Sequence, residues 1–482
     1  GTGRKGQNYL ELFDFLEGEA AFDAAELQKK FAGTKLLDHH RSIQTRLKEL
    51  LLKAMRNLHG GKSLDSRLRQ MLEDIEFLFA KRQLKQCRKK VLAAKALASE
   101  FQKEAVLLQL LNWEQEIFLS VQGEESEAFF ARMEREVELS MARFATTSGL
   151  HRLHEYMRAM YRQNHRIRDA QTRQRLDLLL QNPLLTKAPD PANFLATVYF
   201  KNIMGLALIL QGKKAEARRM FEGLMTVWDA HPRQIPANAE LYLGHFNNCL
   251  NIIATADLGP DGFSAALKKL RSVQGLPKSV SLKFQRISYV QEILYFLNHG
   301  GFAPGDPLTE EIKHWLDRNR KKISPARDLV LSHNIAQLLF LSGDFSGANR
   351  WLLRILNYPK GRERQDVRDF ARLFQLVLQY ELGNLDLQAY LTRSTKRYFT
   401  RTQKGKDFET AVLDFMRKAP AQLTRKEKMA YWEALKATLE EIIARKGEPR
   451  PVGILNLIFW AESKIRGISI REEYARRLAE AN

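Results

Sequence analysis

Cysteine is almost absent from this chain, with only Cys87 and Cys249 among 482 residues. Two cysteines cannot form the disulfide framework that holds small secreted domains together, so a reducing compartment is favoured and we expect a cytoplasmic protein. Each cysteine lies in an apolar helical pattern, which predicts a buried structural thiol. Apolar runs such as Ile203–Leu210 are far shorter than the roughly 20 residues of a membrane-spanning helix, so no membrane association is expected.

Catalytic motifs are also scarce. Gly60-Gly61-Lys62-Ser63 resembles the end of a phosphate-binding loop, but Arg56 stands where the first glycine is needed and no strand precedes the segment. His151, His154 and Glu155 lie within one helical turn without a third ligand at suitable spacing, so they predict a solvated polar face. The sequence therefore predicts no enzyme activity and no catalytic, cofactor or metal site.

Positive charge is abundant. The 77 lysines and arginines against 56 aspartates and glutamates give a net charge of +21. An excess of this size attracts polyanions such as nucleic acid or an acidic protein surface.

Glycines recur at a near-constant interval between helix-like segments. Gly212, Gly259, Gly300, Gly343 and Gly383 are separated by 47, 41, 43 and 40 residues. Positions near Arg82, Gly123 and Asn164 continue the spacing upstream. A period of about 40 residues is typical of stacked helical hairpins.

The segment from Asn193 to Pro232 shows the hairpin pattern most clearly. Apolar residues at helical spacing precede Gly212 and follow it, and Gly205 and Ala217 place small residues where two helices would cross. Here the chain resembles the tetratricopeptide repeat, and Ser332–Pro359 resembles it again, over about residues 64–415 in all. The resemblance implies an all-α fold, a right-handed α-solenoid of about eight hairpins, and leaves the function open.

The two ends differ from the repeats, which predicts an N-terminal bundle or cap over residues 1–62, the solenoid over 63–418 and C-terminal capping helices over 419–482. In the N-terminal part, Ala24–Phe31 and a basic helix Lys35–Leu58 are compatible with a helix-turn-helix on DNA. The alternative is a cap whose Leu47, Leu50, Leu51 and Met55 pack on the first repeat.

At the C-terminal end, helices are predicted over Leu423–Arg445 and Val452–Ile465, with Phe459 and Trp460 covering either the last repeat or a dimer contact. The run from Phe459 to Ile465, with the segment starting at Tyr9, is similar to a group of uncharacterised helical proteins of Bacteroidetes. That group carries no known activity, so the resemblance implies only a bacterial cytosolic protein.

Three basic clusters are the candidate binding residues, because arginine forks pair with carboxylates and phosphates and aromatic rings stack on exposed bases. Their members are Arg162, Arg166, Arg168 and Arg173; Arg318, Arg320 and Lys321; and Arg393, Lys396, Arg397, Tyr398 and Arg401.

Two functions follow from this pattern. The first is a non-catalytic scaffold whose concave surface binds a protein or peptide segment, expected to be acidic. The second is a protein that binds nucleic acid or a ribonucleoprotein through the basic clusters, including a transcription regulator with its N-terminal bundle on DNA. The oligomeric state does not follow from the sequence.

Overall fold

A computed structural model describes most of the chain, and the described part is all α-helical without a β-strand, as the sequence predicts. The described residues are 3–18, 24–34, 40–59, 61, 63–121, 127–163, 167, 169–253, 260–303, 305–359, 363–402, 407–417, 424–444 and 453–481. They form two compact units, Gly1–Asn238 and Ala239–Asn482. None of the described helices combines the length and the apolar content that crossing a membrane requires.

The first unit contains twelve described helices. They are α1 Gly3–Gly18, α2 Ala24–Lys30, α3 His40–His59, α4 Leu64–Ala80, α5 Leu84–Glu100, α6 Glu104–Ser120, α7 Glu127–Gln163, α8 Ala170–Leu180, α9 Pro183–Thr186, α10 Phe194–Leu210, α11 Lys214–Ala230 and α12 Gln234–Ala237.

The second unit also contains twelve described α-helices and a single 3₁₀ turn, Arg320–Lys322. The α-helices are α13 Ala239–Ile253, α14 Pro260–Arg271, α15 Lys278–His299, α16 Leu308–Asn319, α17 Pro325–Leu341, α18 Phe345–Leu356, α19 Gln365–Glu381, α20 Leu385–Thr402, α21 Asp407–Arg417, α22 Arg425–Ala444, α23 Ile454–Arg466 and α24 Ile470–Ala481. In both units, helices that follow each other in sequence pack against each other.

The hairpin of α10 and α11 confirms the expected role of its small residues. Gly212 has φ of +80° and turns the chain between the helices. A side chain at Gly205 would place Cβ 2.7 Å from the ring of Phe221, so the missing side chain is what lets α10 approach α11. Ala217 is fully buried at the same crossing. Close helix approach therefore depends on residues that the sequence pattern singled out.

Two further hairpins have the predicted turns. Gly343 between α17 and α18 and Gly383 between α19 and α20 both have positive φ angles, 87° and 74°. Ala336 and Ala348 are fully buried between α17 and α18. Gly300 ends α15 with φ of +75°, whereas Gly259, Gly123 and Asn164 lie outside the described residues.

The upstream spacing is only partly reproduced. Arg82 and Gln102 turn the chain between α4, α5 and α6 in the left-handed conformation, with φ of 57° and 51°. Such angles in residues other than glycine are uncommon and carry strain of about 1–2 kcal/mol. Because Arg82 and Gln102 stand where glycine would be unstrained, a search for recurring glycines does not find these two turns. Residues 127–163 then form the single 37-residue helix α7, which lies between the expected turns near Gly123 and Asn164. Those two turns stay predictions.

The N-terminal helices have a small core of their own. Leu12, Phe15, Leu27, Phe31, Ile43 and Leu47 are buried together. Leu50, Leu51 and Met55 are exposed, so the expectation that they pack on the first repeat is wrong. The core takes up only the first half of α3, which begins at His40, and Lys35–His39 lie outside the described residues.

The C-terminal helices α22 and α23 agree with the predicted segments. Trp460 is buried beside Trp432 and Tyr380, with ring centroids 4.6 Å and 5.8 Å away, and its Nε1 donates to Glu381 at 2.6 Å. Trp460 is therefore part of the core of the second unit. Of the two alternatives for Trp460, packing within the chain agrees with the structure and a dimer contact does not.

Two buried histidines sit inside the helix packing. His154 is buried, and the side-chain amide of Asn202 donates to its Nε2 at 2.8 Å, so the expected solvated face is wrong at this residue. His333 is buried between α17 and the edge of the Phe370 ring. Burial lowers the pKa of each from its usual value to about 4.

Replacing Gly205 with alanine should destabilise the first unit by about 1–3 kcal/mol, because the new methyl group collides with the Phe221 ring. Gly223→Ala, on the facing helix, is the matched control, since Cβ there meets only the flexible end of Lys201 at 3.3 Å. Urea unfolding of both variants measures the difference. Equal stability of the two would contradict the packing role of Gly205.

Acid should destabilise the fold before its carboxylates are protonated. Both histidines are neutral in the folded chain, so their contribution is fully present above the unfolded pKa of about 6.5 and is lost as pH falls toward 4. At pH 5 the loss is roughly 1–2 kcal/mol for each histidine. Urea unfolding at pH 7 and pH 5 measures it. His154→Gln and His333→Gln should each reduce the dependence of the unfolding free energy on pH. The control His151→Gln, at an exposed position, should leave that dependence unchanged.

Candidate basic binding surface

Helix α20 carries two opposite faces. Gln388, Thr392, Thr395 and Phe399 recur at intervals of three and four residues and are buried. The Gln388 side chain donates to the Met416 carbonyl at 3.0 Å, which fixes α20 against α21. Because an α-helix has 3.6 residues per turn, the exposed residues Arg393, Lys396, Arg397, Thr400 and Arg401 lie on the opposite face.

The outward residues form the basic helix face, defined here as Arg393, Lys396, Arg397, Thr400 and Arg401. They line one open hollow of about 650 Å³. All four cations are exposed, and among the described residues none of them has a carboxylate within ion-pair distance. Four adjacent uncompensated charges repel one another, so an anion bound here would relieve that repulsion.

The aromatic residues of this cluster have structural roles. Phe399 is buried. The Tyr398 hydroxyl donates to Asp369 at 2.8 Å and accepts from the Gln365 amide at 3.0 Å. Burial and the hydrogen bond to Asp369 raise the pKa of Tyr398. The Arg372 guanidinium covers its ring at 4.3 Å, so Tyr398 offers no open stacking platform.

A second hollow adjoins the basic helix face at Arg401. The Arg372 hollow has a volume of about 320 Å³ and is lined by Arg368, Arg372, Tyr398 and Arg401, with apolar atoms of Ile355 and Leu356. Arg368 donates to the carbonyls of Tyr358 and Pro359 at 3.3 and 3.0 Å, which holds it beside the end of α18. Two arginines of α19 thus extend the positive surface.

The second predicted cluster lies on the last turn of α16 and the 3₁₀ turn that follows it. Arg318 is exposed in the last turn of α16, and Arg320 and Lys321 are exposed in the 3₁₀ turn. Burial raises the pKa of Tyr358, and the charges of Arg320, Arg354 and Arg368 act in the opposite direction. The charges of Arg320 and Arg368 therefore act on the same tyrosine.

A third hollow adjoins the basic helix face at Arg393. The Met416 hollow has a volume of about 740 Å³, with apolar walls from Tyr380, Leu385, Ala389 and Met416. Arg417, Lys428 and Lys464 stand at its edge. It offers an apolar cavity inside a positive rim.

Two carboxylates near these hollows, Glu381 and Asp414, are already paired. Glu381 accepts from Trp460 and pairs with Lys464 at 2.7 Å. Asp414 lies 3.6 Å from Arg417. Neither of these two carboxylates pairs with a cation of the basic helix face.

The first predicted cluster lies in the other unit. Arg162 is exposed in the last turn of α7 and Arg173 in the first turn of α8. Arg166 and Arg168 lie outside the described residues, so this cluster stays a prediction.

Other candidate sites have structural explanations. Ser63 caps α4 by accepting from the Ser66 amide at 3.1 Å, while Gly60 and Lys62 lie outside the described residues. Both cysteines are buried, as predicted, and burial raises the pKa of the Cys87 thiol. Within the described ranges, no three histidine, cysteine, aspartate or glutamate side chains group as metal ligands would.

Sequence reasoning missed Arg368, Arg372, Arg417, Lys428 and Lys464. These residues come from four other helices, α19, α21, α22 and α23, and reach the site only through packing. Their sequence neighbourhoods contain acidic residues, so no local charge run marks them.

A comparison with protein-family models, curated proteins and solved structures finds no match for this chain. The resemblances to tetratricopeptide repeats and to the Bacteroidetes group therefore stay predictions. The basic helix face and its adjoining hollows are therefore the observations from which a function is proposed below.

Tyr398→Phe should lower the stability of the second unit by about 1 kcal/mol, because the hydroxyl that joins α20 to α19 is lost. Tyr390→Phe on the same helix is the control, since that side chain is exposed. Thermal or urea unfolding compares the two. A Tyr398 variant as stable as the Tyr390 variant would contradict the positioning role of the hydroxyl.

Proposed function

We propose that this chain is a non-catalytic helical scaffold that binds an acidic segment of a protein partner on the second unit. The observation that carries the proposal is the basic helix face, with four exposed cations that no described carboxylate neutralises. The adjoining Arg372 and Met416 hollows share Arg401 and Arg393 with it.

The proposed scaffold is a right-handed α-solenoid of tetratricopeptide-like hairpins within each unit, with atypical helices at both ends of the chain. The close approach at Gly205 and the buried Ala336 and Ala348 support this assignment, because they occupy the small-residue positions of that repeat. A bacterial, cytoplasmic location is part of the proposal.

The dimensions of the surface suit a short extended peptide. From Arg393 to Arg401 the helix rises about 12 Å, which matches about four residues of extended chain. Arginine forks bind carboxylates through paired hydrogen bonds. The Met416 hollow would take an apolar side chain next to the acidic run, which would add affinity that salt does not screen.

The environment of the aromatic residues favours an acidic peptide over single-stranded nucleic acid. Base stacking needs an open ring, whereas in the predicted cluster Phe399 is buried and Arg372 covers one face of Tyr398. The exposed Tyr390 lies one turn before Arg393 on α20 and lines none of the three hollows. The nucleic-acid alternative becomes an outcome of the test below.

Fluorescence anisotropy with the full chain tests the proposal. The probes are a short labelled peptide of glutamate and serine with one central leucine, the same peptide with serine in place of leucine, and a labelled mixed-sequence oligonucleotide. We expect the leucine peptide to bind most tightly. The combined variant R393E/K396E/R397E/R401E should weaken it at least about 100-fold, because several charge-assisted hydrogen bonds are lost.

A matched control separates the site from net charge. R67E/R69E/K85E/K89E changes the charge equally but alters exposed residues of α4 and α5. We expect it to retain most of the binding. Equal loss in both variants, or tighter binding of the oligonucleotide with a steep decrease as salt rises, would contradict the acidic-peptide proposal.

A further inference from the structure

The first unit contains a pocket that the proposed function does not use. The Phe129 pocket lies between three consecutive helices, α5, α6 and α7, and has a volume of about 600 Å³. Small-molecule sites in proteins span roughly 300–1,000 Å³, so the pocket has the size of such a site.

Its walls are apolar and partly aromatic. Phe118 and Phe129 stack with ring centroids 3.8 Å apart and nearly parallel planes. Val91 and Ile117 also line the pocket, and both are buried. A flat or aliphatic body placed here would lose its contact with water against a preformed surface.

The one carboxylate in the lining already has its partners. Glu114 accepts from Lys95 at 2.5 Å and from Arg132 at 2.7 Å. Burial alone would raise the pKa of Glu114, but these two cations lower it overall. Arg132 also pairs with Glu136 at 3.0 Å and lies 5.3 Å from the Phe129 ring centroid.

Arg88 is the unmatched charge of the pocket. It is exposed, and among the described residues no carboxylate pairs with it. Lys95, Arg132 and Arg88 give three positive charges against the two of Glu114 and Glu136. Among the described lining residues and their ion-pair partners, the charge of Arg88 is therefore the one left unpaired.

We propose that the Phe129 pocket binds a small apolar carboxylate, with its body against Phe118, Phe129, Val91 and Ile117 and its carboxylate on the Arg88 guanidinium. Arginine binds carboxylates with two parallel hydrogen bonds, which fixes the orientation of the ligand. This site is independent of the basic helix face, which lies in the other unit.

The test uses 1-pyrenebutyrate, a fluorescent apolar carboxylate, and its neutral analogue 1-pyrenebutanol with the full chain. Fluorescence anisotropy should give a Kd on the order of 10 µM for the carboxylate, the value expected for an average ligand of this size. The alcohol should bind about 10-fold more weakly, because it makes no charge-assisted hydrogen bond.

Three variants separate this site from general attraction to a basic protein. R88Q should weaken the carboxylate about 10-fold and leave the alcohol unchanged. K89Q removes the same charge from an exposed neighbour outside the pocket and should bind like the unaltered chain. A128W places a large ring in the pocket from an exposed position and should block both probes.

Three results would overturn the proposal. One is the absence of binding by 1-pyrenebutyrate at concentrations up to about 1 mM, because the expected Kd is about 100-fold lower. Another is equal affinity of the acid and the alcohol. The third is an equal loss in R88Q and K89Q, which would show attraction to net charge in place of a site.

Discussion

The burial of one side of helix α20 determines where the cations of the proposed site point. Gln388, Thr392, Thr395 and Phe399 lie against neighbouring helices, and the bond from Gln388 to the Met416 carbonyl fixes the rotation of α20 about its axis. Because of the helical period, Arg393, Lys396, Arg397 and Arg401 lie on the opposite, exposed face of α20. A rigid helix holds the four charges together before a partner arrives, which reduces the entropy that binding must overcome.

The same constraint explains what could be predicted from the sequence. Helix periodicity and turn chemistry act over a few residues, so the hairpins at Gly212, Gly343 and Gly383 follow from local patterns. The exposed part of the third basic cluster follows for the same reason, because its cations recur at helical intervals along α20. Both inferences depend only on residues that are close together in the sequence.

Features that depend on contacts between distant segments did not follow. His154 is buried because Asn202 and Tyr199, more than 40 residues away in sequence, pack over it. Arg368 and Arg372 reach the surface of α20 only through the packing of α19.

Lysine acetylation footprinting tests most directly the claim that an acidic segment binds across the basic helix face. The full chain is treated with a limiting acetylating reagent, with and without the leucine-containing glutamate peptide, and the modification of each lysine is measured by mass spectrometry. The account predicts that Lys396 of the basic helix face and Lys428 of the Met416 hollow become protected while Lys85 and Lys89 do not. Unchanged modification of Lys396 in the presence of bound peptide would contradict it.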